Sequence, residues 1–424
     1  MKILIKNGIV VDPASKLNEI SDVLIKDGKI SKVAKSISDA ADKTIDAKGK
    51  IVAPGLVDMH VHLREPGRED KETVETGTRA AAFGGVTSVL CMPNTTPALD
   101  SVATVRLLKD SIKKTASVNV FICGAITVGR QGKKVVNIAA LKDEGVLALS
   151  DDGSEVEDDA IFLEACKKAK KENILIDCHS EDRKLSNNGV MNLGYMSTIL
   201  GLRGISRESE YKCIERDITI AAKADARIHI SHVSCRESVE VIARFKKKGV
   251  KVSAETAPHY FWLCDEDLLD YDTHKKMNPP LRTKDDREAM KQGLRDGTLE
   301  VIATDHAPHT QNEKEVEFDH AAFGILGLQT SLALSIGALV ETKILDWPGL
   351  IAKMSLNPAR IMQVDKGTLK AGADADVVII DPNKEWIFQK EDILSKSKNS
   401  PFVGWKLKGK VETTICGGKV VYQD

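Results

Sequence analysis

The sequence predicts an α/β protein: a TIM-like (β/α)8 barrel with a small β-sandwich formed by the N- and C-terminal segments. Three observations predict it. Eight short apolar runs alternate with helical segments through the middle of the chain, the pattern of buried parallel strands joined by crossover helices. The two ends have a different texture, short β-type runs separated by tight turns. The 424 residues, 42% hydrophobic and 29% charged, supply material for a core of that size and exclude a disordered chain.

In chain order, Ile3-Leu4-Ile5, Val23-Leu24-Ile25 and Ile30-Ser31-Lys32-Val33 open the sandwich, and Asp27-Gly28 marks a hairpin turn between the last two. Asp376-Val377-Val378-Ile379-Ile380, Val411-Glu412-Thr413-Thr414-Ile415 and Lys419-Val420-Val421-Tyr422 close it, with Gly417-Gly418 as the final turn. Each set alone makes a marginal sheet, so the two ends are expected to pair. The divisions are 1–53 and 366–424 for the sandwich and 54–365 for the barrel. Barrel strands are expected at 56–59, 86–91, 118–123, 146–149, 174–177, 227–230, 250–254 and 300–303. The clearest helix, 158–171, places Ile161, Phe162, Ala165, Cys166 and Ala169 on one face, with acidic residues in its first turn and lysines in its last. A doubly wound open sheet is disfavoured because no strand is followed by a Gly-rich phosphate fingerprint.

Lys plus Arg number 61 and Asp plus Glu 62, a net charge of −1. This balance gives no electrostatic reason to expect nucleic acid or an anionic membrane as partner. The stretch 325–340 is interrupted by Gln329, Thr330, Ser331 and Ser335; it is too short and polar to span a bilayer and reads as a buried helix. Eight scattered cysteines without a CxxC pair, behind a start that turns polar at once, fit reduced thiols in a cytoplasmic protein.

Chemistry gathers at the strand ends. The first strand runs into Asp58-Met59-His60-Val61-His62, the fourth into Ser150-Asp151-Asp152-Gly153, the fifth into Asp177-Cys178-His179, the sixth into Ile230-Ser231-His232 and the eighth into Thr304-Asp305-His306. The C-terminal strand ends of a barrel form one mouth, so these groups would converge there. His60 and His62, two apart on extended chain, project to the same side. Taken singly, each residue could equally cap a helix or fill a core; their joint placement points to a metal site. Imidazoles mixed with carboxylates suit Zn2+ better than Mg2+ or Ca2+, and six candidates exceed one tetrahedral shell, so two ions sharing a carboxylate are expected.

These residues resemble the amidohydrolase superfamily, and within it the class I dihydroorotases, over the whole chain. The most specific motif is Asp58-Met59-His60-Val61-His62-Leu63-Arg64-Glu65-Pro66-Gly67; Met92-Pro93-Asn94-Thr95, Asp151-Asp152-Gly153, Met277-Asn278-Pro279-Pro280-Leu281-Arg282 and Thr304-Asp305-His306-Ala307-Pro308-His309 also match. The resemblance implies one zinc on His60, His62 and Asp305, a second on His179 and His232, and Asp152 bridging them. Many relatives use a carboxylated lysine as the bridge, and none stands here. Arg64, Asn94 and His309 would hold the substrate α-carboxylate, and Asn278 would contact the pyrimidine ring. His62 and the Phe323-Gly324 backbone would complete the substrate site. Ala322 and Gln329 depart from the family pattern. His229, His259, His274, His306 and His320 receive no role.

The implied reaction is the reversible cyclisation of N-carbamoyl-L-aspartate to L-dihydroorotate, a step of pyrimidine biosynthesis, with Asp305 as the proton carrier. Segment 310–320 is read as a lid or an ordinary solvated loop. The alternatives are another cyclic amidase, such as a hydantoinase or allantoinase, and an inactive scaffold for aspartate transcarbamoylase. A homodimer and association with that transcarbamoylase stay open.

Overall fold

The computed structural model describes residues 2–424. Eight parallel strands follow one another in chain order: Leu56–Val61, Val86–Cys91, Asn119–Gly124, Val146–Leu149, Leu175–Cys178, Ile228–Ile230, Val252–Thr256 and Val301–Ile302. Each apolar run read from the sequence overlaps one of them, with bounds shifted by up to two residues. The ring is drawn together between its first and last strands on the C-terminal side. There Val61 bridges His306, the His62 amide donates to the His306 carbonyl at 2.9 Å, and Asp58 Oδ1 accepts from the Thr304 amide at 3.2 Å.

The strands bury both faces, as their uninterrupted apolar sequences require. Val89, Leu149, Ile176 and Ile230 join the core shared with the helices, while Val57, Leu90, Ala148, Leu175 and Val301 form a second cluster with Ala359 and Met362. Helix Asp159–Lys171 shows the local logic. Asp158 caps it by accepting from the Ala160 and Ile161 amides, Phe162, Ala165, Cys166 and Ala169 are buried at helical spacing, and lysines fill the last turn.

The chain ends build one further sheet, ordered Lys419–Gln423, Lys406–Cys416, Val377–Ile387, Ile51–Pro54, Lys2–Asp12, Leu17–Lys26 and Lys29–Ala34, with Lys43–Asp46 also on Lys2–Asp12. The two ends meet where Val377–Ile387 pairs antiparallel with Ile51–Pro54. Ile3, Ile5, Val23, Ile25, Val52, Val377, Ile379 and Ile415 share its core. Both central residues of the turns Asp27-Gly28 and Gly417-Gly418 have positive φ, the twist that suits a two-residue hairpin. The two turns touch: a Cβ on Gly418 would lie 2.7 Å from the Gly28 Cα.

One expectation is corrected. The stretch 325–340 is helical only from Ser331, as Ser331–Ser335 followed by a wider turn at Ile336–Val340. Ile325 instead pairs with His306, its carbonyl accepting from the Ala307 amide at 3.0 Å. Backbone pairing at the barrel rim wins over helix propensity there. No helix among the described residues is long and apolar enough to cross a membrane.

Candidate metal centre and substrate cavity

The strand ends deliver His60, His62, Asp152, His179, His232 and Asp305 to one place, all buried. Three overlapping groups have their ligand atoms within 4.8 Å of one another: His60, His62 and Asp152; His60, His232 and Asp305; Asp152, His179 and His232. Asp152 sits between the histidine pairs. Its Oδ1 lies 3.3 Å from His60 Nε2 and 3.7 Å from both His179 Nδ1 and His232 Nε2, and its Oδ2 lies 3.6 Å from His62 Nε2. Asp305 Oδ1 is 3.0 Å from His62 Nε2 and 3.6 Å from His60 Nε2. The neighbouring Asp151 turns the other way and accepts from the Ile126 and Thr127 amides at 2.8 and 3.1 Å.

The arrangement fits divalent ions. His60 Nε2 is buried at the centre of the cluster without a hydrogen-bond partner, and a buried polar atom left unpaired is costly. His179 Nδ1 and His232 Nε2 lie 3.0 Å apart. The acids are ionised. Burial alone would raise Asp305, but the charge of His60 and the bond to His62 outweigh it and bring its pKa down to about 2. Asp152 is held well below its usual range by His232, His60 and His62 against the same burial. Outside this centre, Glu155, Cys213 and Asp217 also cluster, but the Arg216 guanidinium pairs with both carboxylates.

Sequence reading missed the residues that orient these ligands. Glu255, at the end of the seventh strand, lies 3.2 Å from His60 Nδ1 and 3.1 Å from His229 Nε2. Glu181 lies 3.4 Å from His179 Nε2 and accepts from Asn278 Nδ2 at 3.0 Å. Carboxylates on the far nitrogen fix the tautomer and ring angle of a ligating histidine. Their signal was available: a Glu at a strand end, and a Glu two residues beyond His179. His306 is turned from the mouth to Glu72 and to the Gly327 amide, and His259 Nε2 is buried and unpaired.

Known proteins resemble this chain over its length. A Dihydro-orotase-like family model matches residues 49–238. A dihydroorotase from Elusimicrobium minutum is 54% identical over 420 residues, covering 99% of this chain and 97% of that protein. One from Geobacter metallireducens is 48% identical over 424 residues, with both chains covered in full. The chain belongs to the dihydroorotase family. An L-hydantoinase (dihydropyrimidinase) from Arthrobacter aurescens superposes with a TM-score of 0.90 at 25% identity, covering 99% of this chain and 96% of that one. This member of the amidohydrolase superfamily is thus a metal-dependent cyclic amide hydrolase on a TIM barrel.

Beside the candidate metal centre of this dihydroorotase-family chain lies a cavity of about 350 Å³, lined by His62, Arg64, Asn94, Arg130, Asp152, His179, Asn278, Asp305, His309 and Phe323 among others. Asn94 bonds two candidate ligands: Oδ1 lies 2.8 Å from His62 Nδ1, and Nδ2 donates to Asp152 Oδ2 at 2.9 Å. Arg64 donates through Nε to the Pro308 carbonyl at 3.1 Å and through Nη2 toward His309 Nε2 at 3.3 Å. Burial, Arg64 and Lys71 bring the His309 pKa down to about 2, so its ring is neutral. Gly324 accepts from Lys314 Nζ at 3.2 Å, and a Cβ there would meet the Ala307 carbonyl at 2.6 Å and the His309 ring at 2.7 Å. Gln329 bonds the Asp392 carbonyl and the Leu394 amide. Arg64, Arg130, His232 and Asp305 all have left-handed backbone, with φ between 38 and 59°, a conformation that costs a non-glycine residue about 1–3 kcal/mol and collects at functional sites.

Proposed function

We propose that the chain interconverts N-carbamoyl-L-aspartate and L-dihydroorotate with two zinc ions. His60, His62 and Asp305 would hold the first, His179 and His232 the second, and Asp152 both. The observation that carries this reading is the buried convergence of four imidazoles on two ionised carboxylates, with His60 Nε2 facing both carboxylates and making no hydrogen bond. When bound, such ions lower the pKa of water toward neutrality and polarise the amide carbonyl.

The residues supply the rest. Arg64 offers the planar fork that suits the α-carboxylate, and neutral His309 and Asn94 flank it. Asn278 and the Phe323-Gly324 strip border the ring. Asp305, ionised and at the cavity wall, takes the proton of the water that attacks the ring carbonyl and returns it to the departing ring nitrogen as the C–N bond breaks. In ring closure it removes the proton from the ureido nitrogen, by microscopic reversibility.

Zinc quantification on the purified chain, paired with dihydroorotate hydrolysis, tests the whole reading. Asp305→Asn should lower kcat by at least about 100-fold with an unchanged near-UV spectrum; near-wild-type turnover would remove Asp305 from the mechanism. Hydrolysis of hydantoin faster than dihydroorotate would assign the site to a different cyclic amide.

A further inference from the structure

Asp152 does not sit on a strand. The fourth barrel strand ends at Leu149, the Ser150 amide makes the last bond to the neighbouring strand, at the Gly124 carbonyl, and Asp152 follows in a loop. The position of its carboxylate therefore depends on what grips that loop. Asp151 anchors one side through the Ile126 and Thr127 amides. Arg130 anchors the other: its Nη2 donates to the Asp152 carbonyl oxygen and to Ser154 Oγ, the latter at 3.3 Å. Arg183 adds a more exposed bond to the Gly153 carbonyl at 3.2 Å.

Arg130 is poorly placed for stability. Its backbone is left-handed at φ 56°, directly after Gly129 at 60°. Its Nε is buried without a hydrogen-bond partner, and no ion pair joins it to a carboxylate among the described residues. Burial disfavours its charge, against the attraction of the Asp152 and Asp151 carboxylates. A half-buried cation that donates to a neutral carbonyl, strained and partly unsatisfied, gains little for the fold. Its gain lies in the site, where it borders the substrate cavity.

We infer that Arg130 is a positioning residue: its grip on the Asp152 carbonyl sets the loop so that the carboxylate lies between the His60–His62 and His179–His232 pairs. The inference rests on the reading of Asp152 as the ligand shared by two ions. Arg130 takes the place of strand pairing, which ends just short of this residue.

The test follows zinc release from the as-purified, metal-loaded chain against increasing chelator, with a colorimetric zinc dye. Arg130→Met should give up zinc at roughly 10- to 100-fold lower chelator concentration than wild type, the range for residues that orient metal ligands. Its metal-free melting temperature should match that of metal-free wild type. Its kcat should fall while KM for dihydroorotate stays within about twofold, and Arg130→Lys, which keeps a donor for the carbonyl, should restore zinc retention. Should Arg130→Met fail to fold, Arg130→Ala, which also lacks a donor, carries the same comparison. Wild-type zinc retention in the neutral variant, or a rise in KM alone, overturns the inference and makes Arg130 a substrate contact or a bystander. Asp152→Asn is measured alongside: if it too keeps zinc like wild type, the reading of the metal centre fails, whatever Arg130 does.

Discussion

Asn94 shows how much a single side chain can carry at this site. Both ends of its amide are engaged, one with the His62 ring and one with the Asp152 carboxylate. Asn94→Ala should therefore weaken zinc retention by about 10- to 100-fold as well as raise KM; a change in KM with unaltered zinc affinity would confine it to the substrate. At this scale the sequence was legible where residues lie close along the chain. His60 and His62 announce themselves because a strand repeats every two residues. Asp152 was legible only through the family resemblance, since it stands in a loop beyond the fourth strand, beside an Asp151 turned to the Ile126 and Thr127 amides. Glu181, Glu255 and Arg130 escaped notice because they act on ligands through space, and a lone Glu or Arg near a strand end has many ordinary explanations.

Among the elements, the segment after the eighth strand has the most unusual chemistry. Lys314 is fully buried and donates to the Ala322 carbonyl at 2.8 Å and the Gly324 carbonyl at 3.2 Å, while Lys276 donates to the Phe318 carbonyl at 2.6 Å. The segment read as a lid or a loop is thus tied down by two ammonium groups with carbonyl, not carboxylate, partners. Burial brings Lys314 down to about 7 and Lys276 to about 8. An unfolded lysine titrates near 10.4, so between pH 7 and 10 the unfolded chain holds protons that the folded one has shed, and stability rises with pH. Lys314→Met removes one such group. The stability of wild type relative to this variant should therefore grow from pH 7 to pH 9, by up to about 1.4 kcal/mol per pH unit. Urea unfolding midpoints at the two pH values measure it, and a pH-independent difference would mean that Lys314 keeps its ordinary pKa. Helix Asp159–Lys171 was legible to within a residue because its cap, apolar face and charges agree. Residues 325–330 were not, since their partner His306 is distant in the chain until the barrel forms.

For the whole molecule, the joined ends matter most. Gly418 has φ 76° and presses on Gly28, so Gly418→Ala strains its own turn and the contact between the two hairpins together. It should lower stability by about 2 kcal/mol, read as a reduced urea midpoint. Dihydroorotate hydrolysis per folded molecule should hold, because the candidate metal ligands gather at the barrel mouth and not in these turns; an unchanged midpoint would show that the turns can separate freely. The barrel and the paired ends were legible at this scale because strand alternation and turn residues are local signals. The single sheet order, with Val377–Ile387 beside Ile51–Pro54, was not, because no local pattern names a partner so remote.

That seam sets a timetable for synthesis. The Thr414 hydroxyl reaches the Ala82 carbonyl across 332 positions of sequence, and Ile51–Pro54, which leads into the first barrel strand, has Val377–Ile387 as a flanking neighbour. While the ribosome is still adding the intervening residues, over tens of seconds at ordinary elongation rates, the nascent amino-terminal strands wait with one edge bare. An edge in that condition invites pairing with other chains, so translation speed and chaperone supply should govern the yield of this protein more than the stability of its finished barrel.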